Sequence, residues 1–424
     1  MKLSILAQGS RGDIQPYVAL ALALRARGHS VRLAGNENFA AFAAACGVEF
    51  VPLPGDSREM VEDPVAKARL AAGDVRGFFM RVFELSKPNF PALRKALDQA
   101  SEGADLLLGT AVMDHVSVPL ARRHGAKLVL SYLAPAVPSR SYAPAMLFTS
   151  APDWGPLNAP LHALAQWGWW RVNLTGIRDA RADWGEVVSL KNQLTPARRG
   201  AIPTLLGYSS LLFEASLQDQ GANCAVSGHW PLPSPVAQGL AGDHHDEGFQ
   251  HWLEDGSPPL FFGLGSMPVL QPEAMIELVG ELAERLGLRA VIGAGWTEID
   301  MAACDLPDDV AVVGACDYEW LFSHCAAILH HGGSGTTHTA ASSGLPQVVC
   351  PVFADQPFWA GRVKRLGLGA VLPFQKLGIA ALERAFLDAL EPGVQERAAA
   401  FGAGLRAERG LEQACLVLER YAAP

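Results

Sequence analysis

The sequence predicts an α/β protein of two doubly wound, Rossmann-like domains. Three observations carry that prediction. The chain has 424 residues, too many for one ordinary core and suited to two domains of roughly 200 each. Half of the residues are hydrophobic and only 18% are charged, which supplies sheets buried on both faces. Short apolar runs alternate with helical patterns in both halves, the signature of parallel sheets with crossover helices.

The elements follow in order. Residues 2–8 (KLSILAQ) form an apolar run closed by Gly9, Ser10 and Gly12. A helical pattern runs from Pro16 to Arg27, Gly28 and His29 stop it, and Ser30–Ala34 reads as a second strand. That is a βαβ unit. A helix at Ala41–Ala45, a strand at Val48–Pro52 and a long helical region near 75–100 continue the pattern, followed by a strand at Asp105–Gly109, a helix over 114–124 and a strand at Lys127–Tyr132. Residues 134–175 break the rhythm with proline, alanine and Trp154, Trp167, Trp169 and Trp170. Strands are expected again at Leu211–Glu214 and Cys224–Val226.

Residues 229–243 (HWPLPSPVAQGLAGD) hold three prolines and no periodicity, and read as a linker. The expected domains are therefore 1–228 and 244–406, with a last helix in 407–424 that crosses back onto the first domain. The second series has strands at Pro259–Gly263, Ala290–Ile292, Val310–Val313, Ala327–Leu329 and Gln347–Val352.

Composition excludes several function classes. The formal net charge is −9 and no long basic run exists, so no nucleic-acid partner is expected. The seven cysteines form no C-x-x-C pair, which indicates neither a zinc site nor a redox motif and suits reduced thiols in the cytosol. Only Lys2 precedes the first apolar run, and Arg11 and Asp13 interrupt it, unlike a signal peptide. No stretch of about 18 uncharged apolar residues appears. The expectation is a soluble cytoplasmic protein, with peripheral contact to a membrane left open.

Chemistry concentrates in residues 328–357. An apolar strand runs into His330, His331, Gly332, Gly333, Ser334, Gly335 and Thr336, then into a helix. Glycines let backbone approach a phosphate, and free N–H groups at a helix start favour an anion. Ser334, Thr336 and His331 add side-chain donors. A plain strand–turn–helix junction is the alternative. The next strand ends in Asp355 and Gln356, which suit sugar hydroxyls; Asp355 alone also fits a helix N-cap.

His331-Gly332-Gly333-Ser334-Gly335-Thr336-Thr337 followed by Asp355-Gln356-Pro357-Phe358-Trp359 resembles the family 1 inverting glycosyltransferases, of the GT-B fold. The branch it is most similar to holds sterol glucosyltransferases and bacterial lipid and polyketide glycosyltransferases. Gly9-Ser10-Arg11-Gly12-Asp13-Ile14-Gln15-Pro16, Cys316-Asp317-Tyr318-Glu319-Trp320-Leu321-Phe322 and Gly263-Leu264-Gly265-Ser266-Met267 match that pattern too. The resemblance implies two domains facing across a cleft, and transfer of a hexose from a UDP-sugar, UDP-glucose above all, to an apolar hydroxylated acceptor. It implies that Ser266 and the backbone at Met267 contact phosphates and that Cys316 lines the base pocket. It further implies that His331, Gly333, Ser334, Gly335 and Thr336 hold the diphosphate, and that Asp355 and Gln356 hold the sugar. Where many plant relatives carry an acidic residue for the ribose, this chain has Thr339.

Inverting transfer needs a group to take the acceptor proton and stabilisation of the leaving diphosphate. In bacterial relatives with a Gly-Asp in the first loop the Asp is thought to be that base, which points to Asp13. Asp13 also stands where an N-cap would, ahead of a helix with Pro16 in its first turn. No cofactor is expected. No metal is expected either: no Asp-x-Asp motif stands beside these segments, and His244-His245-Asp246-Glu247 lies in linker-like sequence. His29, His124, His229, His324 and His338 read as isolated residues at helix ends or in loops. Trp154 and Trp167 fit an acceptor pocket, a lipid-facing patch or ordinary core. Two rivals remain: an epimerase or hydrolase of the same fold, which needs a second carboxylate pair not seen in the first loops, and a non-catalytic helper.

Overall fold

In the computed structural model the described residues are 1–145, 154–169, 184, 201–213, 223–234, 236–237, 247–263, 272–295, 306–314 and 316–423. The chain divides into two compact units. The first comprises Met1–Met60, Phe79–Leu232 and Arg409–Pro424, and the second Val61–Phe78 and Pro233–Glu408.

The first unit is built on a seven-stranded, all-parallel sheet. Its strands are β1 (Lys2–Leu6), β2 (Ser30–Asn36), β3 (Glu49–Leu53), β4 (Leu106–Thr110), β5 (Lys127–Tyr132), β6 (Thr204–Leu206) and β7 (Cys224–Val226), in the order β3-β2-β1-β4-β5-β6-β7. The order reverses between β1 and β4, the switch point where a doubly wound sheet takes its ligands. Leu6, Ala34, Leu53, Leu97, Leu107, Leu120 and Trp184 form one face of the core.

Of the strand expected at Leu211–Glu214, the described residues Leu211–Phe213 are not a strand. Ser210–Phe213 is a single helical turn, and the sixth strand is Thr204–Leu206 instead. An apolar run of three or four residues carries no period to separate the two. The first unit also runs past residue 228. Trp230 is buried edge-on against Tyr17, ring centroids 5.7 Å apart, and its indole N–H donates to the Ser227 hydroxyl at 3.0 Å.

The helix Gly410–Ala422 belongs to this unit. Ala414, Cys415 and Leu418 are fully buried, and Glu419 pairs with Arg27 at 2.7 Å and His29 at 2.8 Å. Gly410 lies so close to residues 228–229 that a Cβ there would stand 2.0 Å from the His229 carbonyl oxygen.

The second unit has a six-stranded parallel sheet: β8 (Leu260–Gly263), β9 (Ala290–Gly293), β10 (Val310–Val313), β11 (Ala327–His330), β12 (Gln347–Val349) and β13 (Gly369–Val371). The order β10-β9-β8-β11-β12-β13 again reverses at one place, between β8 and β11. Phe261, Val291, Val313, Leu321, Phe322 and Ile328 pack together on one face. β13 was not expected from the sequence; its short apolar run lies between Gly369 and Pro373, which read as loop. Among the described residues no helix is long and apolar enough to cross a membrane.

Candidate functional site

Each unit carries candidate residues of its own. In the first, the turn after β1 is shaped by Gly9, whose φ is +141°. A Cβ there would stand 2.3 Å from Asp13 Oδ2, so only glycine leaves room for that carboxylate to fold back. Asp13 Oδ2 accepts the Ser10 backbone N–H at 2.8 Å and the Ser10 hydroxyl at 3.0 Å. The helix begins at Arg11, five residues earlier than its apolar period suggests, with Ser10 as N-cap. Asp13 is therefore not the N-cap; it sits in the first turn and reaches back to the cap residue, half of a capping box. Pro16 lies inside the helix.

Asn36, buried at the end of β2, holds the turn. Its Oδ1 accepts the Gly9 N–H at 2.9 Å and its Nδ2 donates to the Gly55 carbonyl at 2.9 Å. The Asp13 carboxylate remains reached by solvent, yet the protein packed around it desolvates it. That raises its pKa above the ordinary carboxylate value against the lowering effect of the Ser10 bonds. A second carboxylate, Asp114, follows the adjacent strand β4, at the head of the helix Asp114–His124. It is buried and accepts the Tyr132 hydroxyl at 3.1 Å.

In the second unit, β11 ends in His330, which is fully buried. Its Nδ1 accepts the Gly332 N–H at 3.0 Å and its Nε2 bonds Gln347 Oε1 at 2.8 Å. These partners assign the tautomer with hydrogen on Nε2. Burial pushes its pKa down to about 4, so His330 is a neutral strut beneath the turn. Gly332 has φ +89°. A Cβ on it would meet Val349 Cγ1 at 2.8 Å and the Gln356 carbonyl oxygen at 3.1 Å, so the glycine-rich turn lies directly against the loop after β12. Gly333 is the N-cap of the helix Ser334–Ser343, and no side chain caps it. The first N–H groups of that helix start beside Ser334, Gly335 and Thr336.

His331 is half-buried. Its Nδ1 is shut from solvent and makes no hydrogen bond among the described residues. Its Nε2 lies over Gly333, where a Cβ would stand 2.5 Å away. Burial first, and the neighbouring His330 second, push its pKa down to about 3, so in the ligand-free chain the ring is neutral near neutral pH. His338 is no isolated loop histidine. It is buried within the helix, donates from Nδ1 to the Ser334 carbonyl at 2.6 Å and packs against Trp359.

The loop after β12 carries the one non-glycine residue with positive φ among those described, Ala354 at +57°. A β-carbon there costs about 1–2 kcal/mol, and such strain gathers at functional loops. Asp355 follows at the N-cap position of the helix Gln356–Arg365, without capping it. Its Oδ2 accepts the Trp359 indole N–H at 2.9 Å. Gln356 Oε1 accepts the N–H groups of Val352 at 2.8 Å and Phe353 at 3.1 Å. That oxygen thus serves its own loop.

Cys316 is half-buried beside Asp317, which caps the helix Tyr318–Phe322 through the Glu319 N–H. Ser266 and Met267 lie outside the described residues. Trp154, which precedes the 3-10 turn Gly155–Leu157, and Trp167, in a helix over 158–169, are 42% and 55% exposed, so neither is core. No group of three His, Cys, Asp or Glu residues that could hold a metal occurs among the described residues. Sequence reasoning passed over Asn36 and gave His330 and Trp359 no role of their own. The first two act through contacts distant in sequence or through a buried ring, and only the Asp355–Trp359 spacing of one helical turn was open to view.

Comparison with known proteins gives the same picture. Residues 3–100 match the glycosyltransferase family 28 N-terminal domain, and residues 297–409 match the erythromycin biosynthesis protein CIII-like C-terminal domain. A sterol 3-beta-glucosyltransferase of Arabidopsis thaliana is 30% identical over 447 residues, spanning 100% of this chain and 68% of that protein. The O-mycaminosyltylonolide 6-deoxyallosyltransferase of Streptomyces fradiae is 30% identical over 433 residues, spanning 100% of this chain and 98% of that protein. Among solved structures, the glycotransferase of kitacinnamycin superposes with a TM-score of 0.68 at 19% identity, covering 99% of this chain and 98% of its own. A Streptomyces sp. SF2575 glycosyltransferase complexed with thymidine diphosphate superposes with a TM-score of 0.60 at 20% identity, covering 99% of each chain. Two doubly wound sheets, an uncapped glycine-rich helix start and relatives that span the whole chain agree: this protein belongs to the GT-B glycosyltransferase family that contains the sterol glucosyltransferases and the macrolide glycosyltransferases.

Proposed function

We propose that the chain moves a hexose, glucose from UDP-glucose, to a hydroxyl of an apolar acceptor such as a sterol, lipid or polyketide aglycone, with inversion. The observation that carries the reading is the turn His330–Thr336. It presents an uncapped helix start, glycines and hydroxyls at the strand-order switch, directly against the loop that holds Asp355. Helix-start N–H groups take the diphosphate. His331, Ser334 and Thr336 add neutral donors, and Asp355 holds the sugar.

Asp13 takes the proton of the acceptor hydroxyl. The acceptor oxygen attacks the anomeric carbon, the bond to the diphosphate oxygen breaks, and the nucleotide leaves with the electron pair. The raised pKa of Asp13 makes its carboxylate a stronger base. Trp154 and Trp167 offer an apolar surface to the acceptor or to the lipid that carries it. The protein works in the cytoplasm.

Incubation with UDP-glucose, and in parallel TDP-glucose, with and without a panel of hydroxylated apolar acceptors tests the reading. Product seen by mass spectrometry only when an acceptor is present is the expected result. Sugar release that ignores the acceptor points to a hydrolase, and no turnover with any donor points to a helper protein. Transfer should survive EDTA, because the helix start supplies the positive field that a cation would otherwise provide; recovery only on adding Mg²⁺ overturns that part.

A further inference from the structure

Trp359 is fully buried one helical turn after Asp355. A buried indole N–H requires an acceptor, and this one finds Asp355 Oδ2 at 2.9 Å. Asp355 occupies the N-cap position, where an aspartate ordinarily accepts from the helix's own N–H groups, yet it makes no capping bond. Its carboxylate is drawn to the indole instead, and Ala354 in the left-handed region sets the backbone for that turn. With Oδ2 held, the plane of the carboxylate and the direction of Oδ1 are fixed.

The indole is itself held on two sides. Phe358 meets it edge-on at 5.1 Å and His338 at 4.9 Å with a 75° interplanar angle. His338 stands on the helix that follows the glycine-rich turn and donates to the Ser334 carbonyl at 2.6 Å. A continuous line of contacts therefore runs from Asp355 through Trp359 and His338 to Ser334.

We propose that Trp359 is a positioning residue for the donor sugar: its indole N–H orients the Asp355 carboxylate, and His338 registers that carboxylate against the diphosphate turn. The inference rests on the reading that Asp355 holds the sugar. It assigns to Trp359 a share of the sugar preference and none of the nucleotide affinity.

Calorimetry on the full chain separates these roles. The probes are UDP and UDP-glucose, or TDP and TDP-glucose, whichever pair the wild type binds. Trp359→Phe keeps an aromatic ring and removes the N–H. It should weaken the sugar nucleotide about tenfold, the worth of one charge-assisted hydrogen bond, and leave the free nucleotide within twofold. Asp355→Ala should weaken the sugar nucleotide at least as much, and the double variant no more than Asp355→Ala alone. Trp359→His keeps a ring N–H on a smaller ring and should retain more sugar preference than Trp359→Phe, the reverse of what packing alone predicts; it serves also if Trp359→Phe does not fold. Loss of sugar preference in Asp355→Ala but not in Trp359→Phe overturns the positioning role while the Asp355 reading stands. Equal weakening of nucleotide and sugar nucleotide by Trp359→Phe shows packing and overturns it too. An unchanged preference in Asp355→Ala, or a wild type that binds neither pair, removes the reading and the inference with it.

Discussion

The turn after β1 and the turn after β11 are built alike and finished differently. Each leaves the C-terminal end of a parallel strand next to the strand-order switch of its sheet, bends at a glycine of positive φ and enters a helix. In the first turn the helix start is taken by the chain's own carboxylate, Asp13 folded back on Ser10. In the second the N-cap is Gly333, and no side chain caps it among the described residues. A helix start that already contains a negative charge repels a phosphate; one left uncapped attracts it. On the function proposed above, the same local architecture serves as a seat for a base in one unit and a seat for an anion in the other, and the difference lies in one residue three positions into the helix.

Removing the carboxylate from the closed turn is expected to have the largest effect. Asp13→Asn keeps the shape and the contact with Ser10 but loses the base. Turnover should fall by about 10²–10⁴-fold, with nucleotide affinity and melting temperature nearly unchanged. A variant that keeps more than a tenth of wild-type turnover, with chemistry rate-limiting, places the base elsewhere. In the open turn His331→Ala should slow transfer by about 2–4 kcal/mol through weaker stabilisation of the leaving diphosphate. An unchanged rate makes His331 a structural residue.

The open turn also carries an acid sensitivity that the closed one lacks. His330 and His338 titrate at about 4 in the fold and near 6.5 when unfolded. Being held neutral, they contribute their full stability above about pH 6.5. That contribution is lost as the pH falls toward 4, by up to about 1.4 kcal/mol per pH unit for each ring. Melting temperature against pH should drop across this window, and His338→Gln should flatten the drop; a pH-independent curve between 6.5 and 4 contradicts it. The smallest effect concerns Ser10→Ala. It removes one bond that favours the ionised Asp13, so the acidic limb of the pH–rate profile should move to higher pH by less than about one unit. A limb that stays put or moves down separates Asp13 from that limb.

The two turns were unequally legible in the sequence. Gly332, Gly333 and the apolar strand before them are contiguous, so the open turn could be read from seven residues. The closed turn depends on Asn36, 27 residues beyond Gly9, and no local pattern announces a contact made by the neighbouring strand. Most strands were marked by apolar runs. Thr204–Leu206 and Gly369–Val371 were not expected: each is a short run closed in by proline and glycine, which reads as loop, while Leu211–Glu214, equally short, was taken for a strand. Asp13 stands in the first turn of its helix and not at the N-cap, the alternative its position also offered: Ser10, not the first acidic residue, ends the extended backbone. Gln356 was legible as a motif residue, but its bonds to Val352 and Phe353 come from a tight loop whose backbone path only the fold defines.

The helix Gly410–Ala422 gives the chain an order of assembly. It completes the first unit by covering the helix after β1 and pairing Glu419 with Arg27 and His29, yet it follows residues 233–408 of the second. During synthesis the unit whose sheet emerges first is the unit finished last. Until the ribosome has delivered that helix, the patch that buries Ala414, Cys415 and Leu418 stays open to water, while the second unit already has all of its strands.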